Sequence, residues 1–492
     1  MADVGDYCCA IDRRLHELYF VVHVGEAEKL SDNGTSFIAY TVSFGDYEVK
    51  RRYSEFESLR GCLCRLYPTF IVPPIPEKHS LTQYAVLQKR AKEDQYIIER
   101  RKRMLERFLN HLVEHPILSS EHIFHRFLEN GVSWSEVLHS PVITNLPKTP
   151  LHSSPSRAPG SSIADGTNVQ LPKIAATNSF AGDVPVPSTL APIKNIEPRW
   201  MDCELFTNKY ANQFTGPVEK GERRIYRKLG ELSGDYVELG AALNGFSLID
   251  HSERLAAAIE RSGQAVDNSY IEISQLLHQM EAEVSEPIHE YSQYSLIIKQ
   301  VLRFRLLKNL QAENVQESLI RQRAKLEKLL QADDEARRLA HALESSSSNN
   351  YDSVPTTLSG EGAVVDHQRQ NSSSSASIGA RLLRSPKAIG DGIMNRLTYA
   401  LNGIMDVDPE QVRRNQIGRA SDKINVLEEQ LEMLNNDLVL INTSTQDNLD
   451  RFQKQKVRDI KGALVSMARM HLEWAEKNLE IWKDAKEAVD QV

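Results

Sequence analysis

The hexapeptide RRYSEF, residues 51–56, places two guanidinium groups beside an aromatic ring, directly before a run of helical character. Ser54 and Glu57 have the spacing of a capping box, which predicts a helix from Ser54 to Leu66. The start of a helix offers unpaired backbone N–H groups and a positive dipole end, so it can bind an anion. A neighbouring guanidinium can hold a phosphate through two parallel hydrogen bonds. The pattern therefore predicts that this segment binds a phosphate group.

Only one of the two arginines can face such a site. Arg51 and Arg52 end a predicted strand, and side chains alternate between the two faces of a strand. Tyr53 follows and can offer its ring face to a sugar-like ring. The competing interpretation is a solvated basic strand end without a ligand.

Two later segments favour the phosphate-binding interpretation. The proline loop VPPIPEK ends in Lys78, and IIERRKRMLERFL, residues 97–109, begins an amphipathic helix with four basic residues. Positions 36 to 107 hold 14 Lys and Arg residues against 9 Asp and Glu residues, a local excess of +5. The whole chain has a net charge of −8, which argues against a general nucleic-acid binder. A local basic excess in an acidic chain suits an anionic membrane surface.

The elements that must position these residues form an α+β domain over residues 15–130, after an N-terminal extension at 1–14. Apolar and β-branched runs at 17–52 predict a three-stranded meander with turns at Asn33-Gly34 and Gly45-Asp46. Further helices are predicted over roughly 87–112 and 120–129.

The rest of the chain alternates between low-complexity and helical sequence. Residues 131–196 and 346–386 predict a disordered linker and a disordered insert, because their composition cannot bury enough apolar surface. Helical periodicity covers 218–246 and 252–344, with a break predicted at Gly216-Pro217. After Pro409, apolar residues recur every three or four positions, which predicts a helix on the order of 120 Å long. Such a helix needs partners, so a coiled coil or elongated bundle is predicted.

The order of these motifs resembles the PX domain of sorting nexins. The matching features are RRYSEF, a proline loop ending in lysine, and the basic helix start, within residues 15–130. In that family these positions hold phosphatidylinositol 3-phosphate. The resemblance implies that Arg52 binds the 3-phosphate, with Ser54 beside it at the helix start.

The resemblance assigns the remaining headgroup contacts to three residues. Tyr53 would lie under the inositol ring, and Lys78 would contact the 1-phosphate. Arg101 would bond the 4- and 5-hydroxyls, with Arg100 as the alternative for that role.

The segments GDYVELGAALNGFSL and HLEWAEKNLEIWKDA resemble the ends of the first and third helices of a BAR domain. The resemblance implies an all-α, three-helix antiparallel coiled-coil rod that dimerises, with helices one and two in 197–345 and helix three in 406–492. BAR domains bind curved membranes through a basic face. Candidates for that face are Arg303, Arg305, Lys308, Arg321, Arg323, Lys325, Lys328, Arg413, Arg414, Arg419 and Lys423.

Two apolar segments are candidates for insertion into a membrane. The first is the loop beside the predicted pocket, and the alternative there is ordinary packing beneath the loop. The second is an amphipathic helix at 387–405, and the alternative is that it forms the first turns of helix three. The candidate side chains are Leu81, Tyr84, Val86 and Leu87 in the loop, and Ile393, Leu397 and Leu401 in the helix.

A PX domain followed by a BAR domain with a polar insert resembles the autophagy-associated sorting nexins of fungi. This resemblance implies a cytoplasmic protein, peripheral on endosomal and pre-autophagosomal membranes, that acts in protein retrieval and selective autophagy. It also implies a homodimer, or a heterodimer with another sorting nexin. Tyr351 to Val354 has the aromatic-x-x-aliphatic form that binds autophagy ubiquitin-like proteins.

Other classes of protein are disfavoured by missing motifs. The sequence lacks nucleotide-binding, serine hydrolase and zinc protease signatures, so we expect neither an enzyme nor a cofactor. The five cysteines lack metal-site spacing, no apolar run approaches the ~18 residues of a membrane span, and the N-terminus does not resemble a signal peptide. The remaining alternative is a coiled-coil scaffold whose PX domain binds protein, which predicts no dependence of lipid binding on Arg52.

Overall fold

A computed structural model describes residues 9–17, 21–32, 35–77, 95–147, 149–153, 184–187, 197–348 and 409–491. The chain divides into two compact units. The first comprises Met1–Asn314 with Glu432–Val492, and the second is Val315–Leu431.

The N-terminal part of the first unit contains the predicted three-stranded sheet. Helix α1 (Ala10–Glu17) precedes the strands β1 (His23–Asp32), β2 (Thr35–Phe44) and β3 (Tyr47–Arg52). Both strand pairs are antiparallel, in the order β1-β2-β3, with an irregularity between Val24 and Ala27. Gly45 has φ 57° in the turn between β2 and β3, a conformation that glycine adopts without steric cost. The predicted turn at Asn33-Gly34 lies outside the described residues.

Helices cover this sheet and close its core. They are α2 (Tyr53–Leu66), α3 (Gln95–Glu114), α4 (His122–Leu128), α5 (Trp134–Leu138) and α6 (Pro141–Thr144). Aromatic side chains fill the interior because alternate residues of β2 and one face of each helix point inward. Those most deeply buried are Tyr40, Phe44, Phe56, Phe108, Phe124 and Phe127. Helix α3 was predicted from about residue 87, and residues 87–94 lie outside the described residues.

Three long helical segments account for the described residues from 198 to 348 and from 409 to 490. The first joins α7 (Pro198–Gln213) to α8 (Glu219–Ser247), and the second joins α9 (Glu253–Met280) to α10 (Glu286–Ser348). The third is α11 (Pro409–Asp490). The predicted break at Gly216-Pro217 is wrong, because a π-helical turn over Phe214–Val218 carries the helix through the proline. Proline has no N–H for the i→i−4 hydrogen bond of an α-helix. At this position the α-helical pattern gives way to one turn of i→i+5 bonding.

Helices α8 and α9 approach each other closely through two glycines. A side-chain carbon added at Gly240 would lie 2.1 Å from Asp267 Oδ1, and one added at Gly263 would lie 2.2 Å from Asn244 Oδ1. The Asn244 amide donates to Asp267 at 2.8 Å. Because Gly240 and Gly263 have no side chain, Asn244 and Asp267 have room to form the hydrogen bond that joins the two helices.

Two of the predicted basic-face residues are buried and cannot form a membrane surface. The Lys308 ammonium group donates to the Ser153 carbonyl at 2.7 Å and lies 3.4 Å from Asp437. Arg305 donates to Asn442 at 2.7 Å, and its guanidinium lies over the Trp200 ring. Periodicity showed that these residues are on long helices, but not which side of each helix is covered by the rest of the unit.

The second unit contains the C-terminal part of α10 and the N-terminal part of α11. Ion pairs join the two helices between Arg323 and Glu428 at 2.7 Å and between Arg413 and Asp333 at 3.4 Å. In the part of the chain that the structure describes, no helix is long and apolar enough to cross a membrane.

Candidate functional site

Arg51 and Arg52 point to opposite faces, as strand alternation predicts. Arg51 is 3% exposed and lies inside the domain. Its guanidinium donates to the carbonyl oxygens of Phe127 at 2.9 Å, Arg126 at 3.2 Å and Val132 at 3.3 Å. It also lies over the rings of Phe127 and Trp134. Arg51 is therefore a structural residue that ties β3 to the C-terminal helices of the domain.

Arg52 faces the opposite side of the sheet and is accessible. Its side chain is 52% exposed, and its guanidinium carbon lies 5.8 Å from the centre of the Phe37 ring. The nearest described carboxylate oxygen, on Glu55, lies 3.9 Å from Arg52 Nε, which is longer than a hydrogen bond. Arg52 thus presents a positive charge at the point where β3 ends and α2 begins.

The helix start lies earlier than the capping-box pattern predicts. Helix α2 begins at Tyr53, with Arg52 as its N-cap residue, so the predicted box of Ser54 with Glu57 is wrong. Glu55 accepts a hydrogen bond from the Arg52 backbone N–H at 3.1 Å. Arg52 is also paired with Ala39 in the sheet, so β3 runs directly into the helix. Ser54 is exposed in the first turn, where helical N–H groups have no partner within the helix.

Tyr53 lies between the proline loop and α3. Its hydroxyl donates to the Pro76 carbonyl, and the Arg101 guanidinium lies over its ring, 5.4 Å from the ring centre. Burial raises the pKa of Tyr53 to about 12, so the phenol stays protonated and remains a donor. Arg60 donates to the Pro73 carbonyl at 2.7 Å and fixes the same loop. The ring, the loop and Arg101 are therefore held in one place.

These residues define the pocket, by which we mean Arg52, Tyr53, Ser54 and Arg101. It combines two guanidinium groups, a helix start and an aromatic ring, a combination suited to an anionic ring-shaped ligand. Of the five predicted lipid contacts, Arg101 lies over the ring of Tyr53, and Arg52 and Ser54 flank Tyr53 in the chain. Lys78 lies outside the described residues, as do all the membrane-insertion candidates and the Tyr351 to Val354 segment.

The opposite side of α3 carries arginines in a different setting. Glu286 at the start of α10 is fully buried and accepts from Arg103 at 2.6 Å and from Arg107 at 2.9 Å. One turn further along each helix, His111 Nε2 lies 3.2 Å from Glu290. We call Arg103, Arg107, His111, Glu286 and Glu290 the docking face, because these side chains hold α3 against the helical body.

Further side chains of the N-terminal domain contact α11. Arg458 forms an ion pair with Glu114 at 2.6 Å, and Thr69 and Ser444 share a hydrogen bond of 2.7 Å. His115 Nε2 lies 3.3 Å from Asn448 Oδ1 and 2.9 Å from the Arg451 guanidinium. Burial, together with the charge of Arg451, lowers the pKa of His115 to about 4. Sequence reasoning missed this contact because its partners are at least 333 residues apart in the chain.

Comparison with known proteins agrees with this architecture. A model of the PX domain family matches residues 40–131. A protein named Sorting nexin-41 from Cryptococcus neoformans var. neoformans serotype D is 42% identical over 490 residues, which is 99% of this chain and 74% of that protein. A protein named Autophagy-related protein 20 from Gibberella zeae is 32% identical over 540 residues, which is 99% of this chain and 87% of that protein.

A solved structure gives the same result for the fold. The SNX-BAR protein Mvp1, described as a tetramer, matches with a TM-score of 0.50 at 14% identity, over 95% of this chain and 99% of that chain. The three-stranded sheet followed by long helices therefore defines the PX-BAR class and confirms the predicted fold class. The chain belongs to the sorting nexin family, alongside relatives named Sorting nexin-41 and Autophagy-related protein 20.

Proposed function

We propose that this chain is a peripheral membrane sorting nexin whose pocket binds phosphatidylinositol 3-phosphate. The observation that carries the proposal is the placement of Arg52, Tyr53 and Arg101 around the start of α2. Arg52 binds the 3-phosphate, assisted by the first-turn N–H groups near Ser54. Arg101 bonds the 4- and 5-hydroxyls from the other side, and Lys78 contacts the 1-phosphate.

The pocket favours a headgroup with phosphate at one end and hydroxyls at the other. Arg101 lies over the Tyr53 ring at 5.4 Å, so a ligand ring that enters beside Tyr53 meets this guanidinium. The phenol is committed to Pro76, so Tyr53 contributes its ring face rather than its hydroxyl. Additional phosphates at the 4 and 5 positions would crowd Arg101, which disfavours more highly phosphorylated headgroups.

The helical body supplies a second membrane contact by acting as a BAR dimer that senses or shapes curvature. Apolar side chains on α7 support a subunit contact, since Met201, Leu205 and Phe206 are each about half exposed. A single headgroup site gives marginal residence on a membrane, and two linked sites raise the effective affinity. The partner is a second copy of the chain or another sorting nexin.

The cellular role that fits these contacts is that of a non-catalytic adaptor in endosomal protein sorting and selective autophagy. The names of the relatives, Sorting nexin-41 and Autophagy-related protein 20, support both branches of this role. The protein would act from the cytoplasm on endosomal and pre-autophagosomal membranes.

The test is co-sedimentation of the purified chain with liposomes that each contain one phosphoinositide. We expect Arg52→Ala to lose about 1.5–3 kcal/mol of binding to the 3-phosphate lipid, the range for a charged hydrogen bond. Lys50→Ala is the matched control, because Lys50 lies on the same strand face but pairs with Glu28 at 2.7 Å. It should bind like the wild type.

Two other outcomes would contradict specific binding in the pocket. Equal loss in both variants would show that any surface charge serves and that the pocket is not specific. Unchanged binding in Arg52→Ala would contradict the pocket assignment and favour a scaffold whose PX domain binds protein.

A further inference from the structure

Three side chains with metal-binding chemistry meet where α1 packs against α4, in a cluster that shares no residue with the pocket. Cys9 lies directly before α1, and His122 and His125 lie on α4. Each offers one ligand atom, and the three atoms lie within 4.8 Å of one another. Cys9 and His125 are 116 positions apart, so no spacing in the sequence indicates that they meet.

His125 has the surroundings typical of a metal ligand. Its Nε2 lies 2.6 Å from the Ser119 carbonyl oxygen, and its Nδ1 lies 3.3 Å from Cys9 Sγ. A carbonyl oxygen can only accept, so Nε2 carries the proton and the Nδ1 lone pair faces the sulfur. Metal-bound histidines commonly donate their other ring N–H to a carbonyl in this way.

The sulfur of Cys9 is also oriented by the backbone. Cys9 Sγ accepts a hydrogen bond from the Asp12 backbone N–H at 3.4 Å, in the first turn of α1. The thiolate is the form of cysteine that binds metals, and a backbone donor at a helix start interacts favourably with negative charge.

His122 completes the cluster on its solvent side. It precedes His125 by three positions on α4, a spacing that places two side chains on the same side of a helix. The two imidazole rings have centres 6.2 Å apart and are nearly perpendicular. His122 is exposed, Cys9 is half-buried and His125 is buried, so the cluster is accessible from solvent on the side of His122.

We propose that Cys9, His122 and His125 form a zinc site that fastens α1 to α4. One sulfur and two imidazole nitrogens are a donor set that Zn²⁺ prefers, and the open side leaves a fourth position for water or another ligand. Typical Zn–S and Zn–N bonds at tetrahedral angles separate the two donor atoms by roughly 3.6 Å. The observed 3.3 Å between Cys9 Sγ and His125 Nδ1 needs only a small adjustment to meet this value.

The test is titration of the chelator-treated, full-length chain with Zn²⁺ alone, against a chromophoric zinc indicator. The wild type should bind one Zn²⁺ per chain, and Zn²⁺ should raise its Tm. Cys9→Ser and His122→Ala should each weaken binding at least tenfold. His122 is exposed, so its substitution leaves the core of the domain unchanged and separates loss of metal from loss of fold.

Two control variants remove the same residue types elsewhere. Cys203→Ser changes a half-buried thiol on α7, and His139→Ala changes an exposed imidazole after α5. Both should bind Zn²⁺ like the wild type. Arg52→Ala should also keep its zinc, so a failure of the lipid proposal and a failure of the zinc proposal give different results.

Two results of the zinc titration would contradict the proposed site. If the wild type takes up no more Zn²⁺ than Cys9→Ser, or gains no thermal stability from it, the proposal is wrong. The cluster is then a hydrogen bond between a thiol and an imidazole, which fastens α1 to α4 without a metal.

Discussion

Helix α3 carries arginines toward two regions, the pocket and the docking face, and their surroundings differ. Arg101 lies over the Tyr53 ring, and no carboxylate pairs with it among the described residues. Arg103, two positions later, forms an ion pair with the fully buried Glu286 at 2.6 Å. The same residue type in one basic run therefore meets a neutral aromatic ring in one direction and a buried anion in the other.

The difference shows how to distinguish a binding charge from a structural charge. An arginine that already has a buried carboxylate partner has its charge neutralised within the protein. Arg101 lies over an aromatic ring and pairs with no carboxylate among the described residues, so it can offer its donors to an external anion. The neighbours Arg51 and Arg52 repeat the contrast on β3, since one binds three carbonyls inside the domain and the other is exposed.

The largest expected effect comes from removing the buried Arg51 of β3, compared with removing its exposed neighbour Arg52. Arg51→Ala should lower the stability of the PX domain by about 3–5 kcal/mol, because it leaves three carbonyl acceptors without their donor. Hydrogen exchange of the β2 and β3 amides measures this effect. Arg52→Ala should leave those amides unchanged. Similar hydrogen exchange in the two variants would contradict the assignment of Arg51 as structural and Arg52 as a binding residue.

The next effect tests the docking face. Glu286→Ala leaves Arg103 and Arg107 facing an empty buried position, and we expect docking of α3 to weaken by about 2 kcal/mol. This figure is below the usual cost for a fully buried pair because both guanidinium groups are partly exposed. Exchange of the amides at the start of α10 should accelerate, whereas lipid binding should not change. Exchange of α10 at the wild-type rate would show that Glu286 does not hold α3 in place.

A smaller effect should follow from removing the Tyr53 hydroxyl. Tyr53→Phe keeps the ring beneath Arg101 but removes the hydrogen bond to Pro76, which is worth about 1 kcal/mol. The proline loop should become less ordered, and affinity for the 3-phosphate lipid should fall about fivefold. Tyr53→Ala removes the ring as well and should bind more weakly still. Equal affinities of the two variants would show that the ring face makes no contact with the ligand.

Docking should also depend on pH, and two histidines contribute to this dependence with opposite signs. Burial alone would lower the pKa of His111, but the hydrogen bond and charge of Glu290, with Asp459 and Glu114, outweigh it and raise the pKa. Its contribution is full below the ordinary value of 6.5 and is lost as pH rises through the raised pKa. The pKa of His115 is lowered to about 4, so its contribution is present above 6.5 and is lost as pH falls toward 4.

Docking of α3 should therefore be strongest near pH 6.5, midway between the two losses. Hydrogen exchange of α3, corrected for the intrinsic rate at each pH, measures this profile. His111→Gln should flatten the alkaline side, and His115→Gln should flatten the acid side. A wild-type profile without a maximum would contradict the assignment.

The sequence singled out the residues of the pocket but did not indicate the docking face, for a physical reason. The pocket residues lie in two local patterns, the strand end and helix start at residues 51–56 and the basic helix start at residues 97–109. Alternation correctly separated Arg51 from Arg52. The capping box failed by a small shift, because β3 pairing extends to Arg52 and brings Glu55 rather than Glu57 to the cap.

Features that join distant parts of the chain could not be predicted in the same way. Nothing near Arg103 indicates Glu286, and nothing near Cys9 indicates His125. The long helices were predicted well because their apolar periodicity is local. The direction in which their basic residues face was not, as buried Arg305 and Lys308 show.

The division of α3 between pocket and docking face can be tested by comparing Arg101→Ala with Arg103→Ala. The assay is co-sedimentation with liposomes that contain phosphatidylinositol 3-phosphate. The two variants remove the same charge from the same helix, two positions apart. We expect Arg101→Ala to lose at least tenfold in affinity, while Arg103→Ala binds like the wild type and shows faster exchange at the docking face. Equal loss in both variants would mean that α3 contributes only general positive charge, and would contradict the division between pocket and docking face.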